Sequence, residues 1–133
     1  CPRTPMLYTV NMGNTGKPAG CQRDIVHLVS SVGTGIELQR HWAFSDGNAG
    51  ARHTDFYNDI DKLADLDWST INAKYWGEKR HQKQSEFLVA GQFPWRGIHF
   101  IGCHSQAAVE RVQEVMREST HQPEVSVKNA WYF

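Results

Sequence analysis

The stretch Lys83-Gln84-Ser85-Glu86-Phe87-Leu88-Val89 places a carboxylate where a basic, polar run ends and an apolar strand begins. Side chains two positions apart on a strand point to the same face, so the sequence predicts that Gln84 and Glu86 address one ligand together. A carboxylate there can accept a hydrogen bond from a sugar hydroxyl and stabilise positive charge on a sugar carbon. Charged residues are also common at the solvated starts of strands. The motif alone therefore leaves two interpretations open, a ligand-binding carboxylate and an ordinary exposed one.

Length and composition predict one packed domain. The chain has 133 residues, of which 40% are apolar and 11% aromatic. Its 14 basic and 14 acidic residues balance, so any nucleic-acid site must be a local patch. No apolar run approaches the ~18 residues that span a bilayer and no export leader is visible, which favours a cytoplasmic protein.

Cysteine and histidine spacing predicts neither a disulfide framework nor a metal site. Three cysteines form no Cys-x-x-Cys pair, and seven histidines form no His-Glu-x-x-His or His-x-His motif. A Gly-x-Gly-x-x-Gly fingerprint is also missing, which argues against a Rossmann sheet as the binding site of a dinucleotide.

The predicted elements are mostly strands, with helices on the flank, and this mixed order predicts an α+β domain. We expect strands over residues 6–12, 25–32, 39–44, 86–90, 98–102 and 124–127, and an exposed loop over residues 13–20. The strand over residues 25–32 is expected to be central in its sheet. Asp59 is expected to cap one short helix, and Asp67 or Ser69 another that reaches Tyr75. The clearest helix begins after Ser105, with apolar residues at three- and four-residue spacing: Ala108, Val109, Val112, Val115 and Met116.

Five blocks of the chain resemble one family: Cys1-Pro2-Arg3-Thr4-Pro5-Met6-Leu7-Tyr8, Cys21-Gln22-Arg23-Asp24-Ile25-Val26-His27-Leu28, Trp42-Ala43-Phe44-Ser45-Asp46-Gly47-Asn48-Ala49, the Lys83 to Val89 stretch and Trp131-Tyr132-Phe133. They are similar to DarT, a family of bacterial toxins that ADP-ribosylate DNA and are paired with a macrodomain antitoxin, DarG. The resemblance implies one partial domain over residues 1–133, with an ADP-ribosyltransferase-like (PARP-like) mixed β-sheet core and flanking helices. DarT proteins carry a further segment upstream that binds NAD. The resemblance implies that this chain starts after that segment and that it binds NAD poorly on its own.

The resemblance also implies site residues. NAD would be the substrate, with no metal, and its ADP-ribose would pass in a glycosyltransferase reaction to a base of single-stranded DNA, with thymine N3 expected. Glu86 matches the catalytic glutamate, which is implied to help deprotonate the acceptor base. The implied acceptor and DNA contacts are Gln84, Arg80, Lys83, His81 and Arg23. The implied NAD contacts are Met6, Phe44 and Asn48, the last at a position where the family commonly has His.

Alternatives remain for several of these residues. The basic run can be a solvated charged loop. Met6, Trp42 and Phe44 can line the pocket for nicotinamide or the base, or they can be core residues. Arg23 can form a surface pair with its neighbour Asp24. At the level of function, the chain can be a protein- or guanine-directed ADP-ribosyltransferase, or a non-catalytic remnant that only binds single-stranded DNA.

Overall fold

The computed structural model describes residues 1–39 and 41–133. These residues form two compact units. The first contains Cys1, Arg3–Pro5 and, apart from residue 40, Val32–Phe93; the second contains Pro2, Met6–Ser31 and Pro94–Phe133. Each unit has its own sheet, which comprises three strands among the described residues.

Short helices and short strands are interspersed along the chain. The α-helices are α1 (Pro5–Asn11), α2 (Val32–Leu38), α3 (Trp68–Asn72), α4 (Arg80–Lys83) and α5 (Gln106–Val115). The strands are β1 (His27–Val29), β2 (Trp42–Ser45), β3 (Phe56–Tyr57), β4 (Phe87–Val89), β5 (Phe100–Cys103) and β6 (Glu124–Val127). Short stretches of 3-10 helix cover Cys21–Asp24, Ile60–Asp65, Trp95–Gly97 and Asn129–Trp131.

The sheet of the first unit has the order β3-β2-β4, and both pairings are antiparallel. Its centre is Phe44, which is 1% exposed and stacks on Tyr57 across the β2–β3 pairing. Helix α2 packs against Phe87 through Gly35, where a Cβ would lie 2.8 Å from the ring. The β2–β4 register places the residue before β4 opposite the end of β2, and that residue is Glu86.

The sheet of the second unit has the order β1-β5-β6, with β1 antiparallel and β6 parallel to β5. Helix α5 makes the crossover from β5 to β6, and the Ser105 side chain accepts a hydrogen bond from the backbone of Ala108 as its N-cap. The core of this unit includes Ile101, Cys103, Ala108, Val109, Met116 and Tyr132.

Local signals predicted several elements correctly. The cap of α5 at Ser105 and the bounds of β6 are confirmed. The side chains of Asp59 and Asp67 both accept hydrogen bonds as N-caps, also as predicted. Strands occur within or next to the predicted ranges 86–90 and 98–102, although each is shorter or shifted.

Other predictions were wrong. Residues 6–11 of the predicted strand 6–12 belong to helix α1. The fixed φ of Pro5 favours the start of a helix, and the alternating apolar residues did not indicate it. Only His27–Val29 of the range 25–32 is a strand, and it lies at the edge of its sheet while residue 32 begins α2. Helix α3 ends at Asn72, short of Tyr75, and Val115 on α5 is 85% exposed. Strand β2 begins at Trp42, and Arg40 in the predicted range 39–44 lies outside the described residues.

The helices of residues 1–39 and 41–133 include none with the length and apolar character needed to cross a membrane.

Candidate active site

The backbone of Glu86 is fixed by the end of β2. Ser45 N–H donates to the Glu86 carbonyl oxygen at 2.9 Å, and Glu86 N–H donates to Ser45 Oγ at 3.2 Å. Because Ser45 is completely buried, its hydroxyl is held in one place by the surrounding unit. The two bonds therefore determine where the Glu86 side chain leaves the backbone.

The Glu86 carboxylate is solvent-accessible but oriented. Its Oε2 accepts a hydrogen bond from the backbone N–H of Ala49 at 2.9 Å. A hydrogen bond to an ionised acceptor is stronger than one between neutral groups, so this contact limits rotation of the carboxylate. An anion that is both accessible and held in position can stabilise a cation that develops beside it without first reorganising.

The loop of residues 46–51 supplies Ala49 and is held by its own polar groups. Asn48 Oδ1 accepts from Gly50 N–H at 2.8 Å, and the Asn48 carbonyl accepts from Thr54 Oγ1 at 2.6 Å. Asp46 Oδ1 accepts from the backbone of Asp55 at 3.0 Å. The Asn48 side-chain oxygen is thus used within the loop, and an NAD contact through Asn48 stays a prediction.

Helix α4 packs directly on this loop through His81. A Cβ added to Gly47 would lie 2.1 Å from His81 Cε1, so only glycine leaves room for the imidazole. His81 Nε2 lies 3.5 Å from Asp46 Oδ1, and the His53 ring centroid lies 4.5 Å from that of His81. His81 therefore joins α4 to the loop that orients Glu86, whatever contact it also makes with a substrate.

Gln84 does not belong to the strand that follows it. It is the C-cap of α4, with φ −101° and ψ 17°, and β4 begins only at Phe87. The prediction that Gln84 and Glu86 share one face of a strand was wrong, because the polar run before Ser85 forms a short helix. A role for Gln84 in orienting the acceptor stays a prediction that now depends on the end of α4.

Lys83 is not available to DNA in this structure, which corrects its predicted role. The residue is 3% exposed, and its Nζ donates to the carbonyl oxygens of Ile71 at 2.7 Å and Ala73 at 2.5 Å. Burial, with a smaller contribution from the charge of Arg3, lowers the pKa of the Lys83 amine. The amine therefore links α4 to the end of α3 through these hydrogen bonds.

Arg80, in contrast, is exposed at the first position of α4. Its neighbour Lys79 pairs with Asp67 at 3.1 Å. Hydrogen bonds from Ser69, Thr70 and Lys79 hold the pKa of the Asp67 carboxyl well below its ordinary value. The predicted charged loop is therefore a short helix that carries an exposed guanidinium at its start and a buried amine at its end.

Of the two aromatic residues predicted to line the pocket, Phe44 is a core residue and Trp42 is half-buried. Phe44 has almost no exposed surface, so its ring cannot touch NAD in this structure, and its predicted role in binding is corrected to packing in the first unit. Trp42 stacks on Phe87 with 5.6 Å between ring centroids. It also lines a cavity of about 420 Å³ together with His41, Ala43, Asn58, Leu88, Val89 and Ala90.

A second cavity of the first unit, about 340 Å³, lies beside α4. It is lined by Asp46, Tyr57, Lys62, Asp65, Leu66, Asp67, His81 and Gln82. Three aspartates against one lysine make this cavity unfavourable for a phosphate group. Among residues 1–39 and 41–133, no cluster of three or more His, Cys, Asp or Glu side chains is arranged to hold a metal ion.

Met6 and Arg23 belong to the second unit. Met6 lies on α1 with 73% of its surface exposed, and Arg23 is exposed in the turn Cys21–Asp24. Asp24, the expected partner of Arg23 in the alternative interpretation, pairs with Arg111 at 3.3 Å. The roles of Met6 and Arg23 stay predictions.

Sequence reasoning missed Ser45, Gly47 and the backbone of Ala49. The pattern Ser45-Asp46-Gly47-Asn48 has turn chemistry, which predicts a loop but not what that loop contacts. The available signal was the position of a small hydroxyl residue directly after the apolar strand that pairs with β4.

The whole chain, residues 1–133, matches a family described as DarT, ssDNA thymidine ADP-ribosyltransferase. The chain belongs to the DarT family. It is 36% identical over 135 residues to a DNA ADP-ribosyl transferase of Thermus aquaticus, a match that covers 100% of this chain and 60% of the relative. It is 37% identical over 138 residues to one of Thermus sp. strain 2.9, with 100% and 66% covered. The chain therefore spans less than two thirds of the length of these two DarT relatives.

Solved structures of DarT share the fold. Thermus sp. 2.9 DarT in complex with NAD+ matches with a TM-score of 0.92 at 36% identity, covering 100% of this chain and 69% of that one. The same protein in complex with ADP-ribosylated ssDNA matches with a TM-score of 0.93, covering 66% of that chain. Thermosipho africanus DarTG, at 16% identity and a TM-score of 0.71, shows the fold alone. The predicted ADP-ribosyltransferase-like α+β fold and the resemblance to DarT are confirmed.

Proposed function

We propose that this chain is the catalytic part of an enzyme that transfers ADP-ribose from NAD to thymine in single-stranded DNA. The observation that carries the proposal is the Glu86 carboxylate, which lies directly before β4, is accessible, and is oriented by a hydrogen bond from the backbone of Ala49. The proposal is supported by the family match over residues 1–133 and by the shared fold of Thermus sp. 2.9 DarT, whose structures contain NAD+ or ADP-ribosylated ssDNA. Both compact units then belong to one catalytic domain.

The proposed reaction begins at the glycosidic bond of NAD. Nicotinamide leaves with the bonding electron pair, and the ribose C1′ becomes cationic. Glu86 stabilises this charge and accepts a hydrogen bond from a ribose hydroxyl. Thymine N3 then gives its proton to Glu86 and uses its freed electron pair to bond to C1′. The products are neutral nicotinamide, ADP-ribosylated thymine and protonated Glu86, which returns the proton to water.

The acceptor strand is proposed to lie along α4. Arg80 at the start of this helix pairs with a DNA phosphate, Gln84 at its end orients the acceptor base, and His81 lies between them. Arg23 of the second unit contacts a further phosphate. Met6 and Asn48 contact NAD. Lys83 and Phe44 are left out, because both are buried.

The biological partner is proposed from the family. A DNA-modifying toxin needs a counterpart that removes its product, so we propose a DarG-like macrodomain antitoxin and action in the cytoplasm, where bacterial DNA is found. The name DarTG of the Thermosipho africanus protein supports this pairing only at the level of the shared fold.

Mass spectrometry of oligonucleotides tests the reaction. The chain is incubated with NAD and a single-stranded oligonucleotide, both alone and fused to the part of Thermus sp. 2.9 DarT that the match leaves out. We expect the fusion to add one ADP-ribose to an oligonucleotide with a single thymine, and none to an oligonucleotide in which cytosine replaces it. An adduct on guanine, or on protein but not DNA, would contradict the proposed acceptor. No adduct on any acceptor would contradict transferase activity.

A further inference from the structure

The connection between α3 and α4 carries an unusually exposed aromatic ring. Tyr75 is 78% exposed, more than any other aromatic side chain in the described part of the chain. A single exposed aromatic residue is ordinary on a protein surface. Its neighbours distinguish this one. We call residues 74–80 the platform segment.

One cation lies over the ring, and two more follow it in the sequence. The Lys74 Nζ lies 5.4 Å from the centroid of the Tyr75 ring, within the range of a cation–π contact. Lys79 and Arg80 follow within five residues, and Glu78 is the one acidic residue of the platform segment. An aromatic face with flanking cations matches single-stranded nucleic acid, in which bases stack and phosphates need neutralising.

The platform segment is anchored at both ends. At its start, the buried Lys83 amine holds the carbonyl oxygens of Ile71 and Ala73. At its other end, Lys79 Nζ bonds to Asp67 Oδ2, and Asp67 in turn caps α3. A segment that is already held in place loses less conformational freedom when it binds a ligand. The anchoring of the platform segment therefore favours a role in binding DNA.

The platform segment also runs directly into the proposed acceptor site. It ends at Arg80, the first residue of α4, and all of it lies in the same compact unit as Glu86. In the sequence, Tyr75 and its neighbouring cations therefore directly precede the residue that is proposed to bind a phosphate.

We propose that Tyr75 is a stacking platform for a base of single-stranded DNA next to the modified base, with Lys74 neutralising an adjacent phosphate. The inference rests on the proposed function and deepens it. Stacking is tolerant of base identity, because every base has an aromatic face. Tyr75 then increases affinity for the strand and leaves the choice of thymine to the site around Glu86.

Fluorescence anisotropy with a labelled single-stranded oligonucleotide tests the platform. We expect Tyr75→Ala to raise the Kd about 5- to 150-fold, which corresponds to the loss of one base–aromatic stack, and Tyr75→Phe to bind as the wild type does. Phe56→Ala is the matched control, because Phe56 is also an exposed aromatic residue of the first unit. Lys74→Met is expected to reduce the slope of log Kd against log salt by about one.

Transfer assays with the fusion protein separate this inference from the proposed function. Tyr75→Ala is expected to raise the KM for DNA while kcat at saturating DNA is unchanged. If ADP-ribose is transferred and Tyr75→Ala alters neither Kd nor KM more than Phe56→Ala does, the platform is wrong and the function stands. If no adduct forms but Tyr75→Ala still weakens binding, the platform stands and the function is wrong.

Discussion

Replacement of Lys83 by methionine tests whether its amine is structural. The variant keeps a long unbranched side chain in the buried position but removes the donor for the carbonyl oxygens of Ile71 and Ala73, at 2.7 and 2.5 Å. A buried carbonyl that loses its partner costs about 1–3 kcal/mol. The variant also removes an ammonium whose burial is unfavourable, as its lowered pKa indicates, and this offsets part of the cost.

We therefore expect Lys83→Met to reduce the free energy of unfolding by about 2–3 kcal/mol. That is a large fraction of the roughly 5–15 kcal/mol that stabilises a typical domain. For a chain of this size it corresponds to a decrease in Tm of about 7–11 °C. Urea and thermal unfolding, followed by tryptophan fluorescence, measure both quantities.

Lys79→Met is the matched control. Lys79 is four residues away and pairs with Asp67, but its side chain is exposed, so its loss is expected to cost less than about 1 kcal/mol. Equal effects of the two variants would refute the reasoning. The Lys83 amine would then reach solvent, and its predicted role as a DNA contact would become tenable again.

Two further predictions concern Gly47 and Tyr132. Gly47→Ala places a methyl group 2.1 Å from His81 Cε1, and we expect a more than tenfold slower transfer rate, whereas Gly50→Ala, with its nearest atom 3.2 Å away, changes the rate little in the same assay. Tyr132→Phe is expected to cost about 1–2 kcal/mol in urea unfolding, because it removes a buried hydroxyl donor. Burial raises the pKa of Tyr132 from 10.0 to about 12, so the unfolded chain ionises first. The advantage of the wild type over Tyr132→Phe is therefore complete below pH 10 and decreases between pH 10 and 12.

The second half of the fold was more predictable than the first. Helix α5 and strand β6 follow from local signals, a capping serine with helical apolar spacing and a short polar-apolar alternation. Strand β1 has only three residues, and its bounds depend on pairing with β5. Sequence periodicity over so few residues cannot distinguish a short strand from a helix, which is also why α1 was predicted wrongly.

The candidate site shows the same division. Glu86 was predicted from its position before an apolar strand. Ser45 and Ala49, which hold it, become its neighbours only through the β2–β4 register. Lys83 resembles the other cations of its run, and its burial depends on carbonyl oxygens 10 and 12 residues away. Contacts of this kind are decided by tertiary structure and leave no pattern in the local sequence.

The most direct test of the central claim is the single-turnover rate of ADP-ribose transfer to DNA by Glu86→Gln in the fusion protein, at saturating NAD and oligonucleotide. Glu37→Gln, which changes an exposed carboxylate on α2 of the same unit, is the control. Loss of the charge that stabilises the cationic ribose is expected to slow Glu86→Gln by about 10²–10³-fold or more, with DNA affinity unchanged. A rate within a few-fold of that of Glu37→Gln would contradict Glu86 as the catalytic residue.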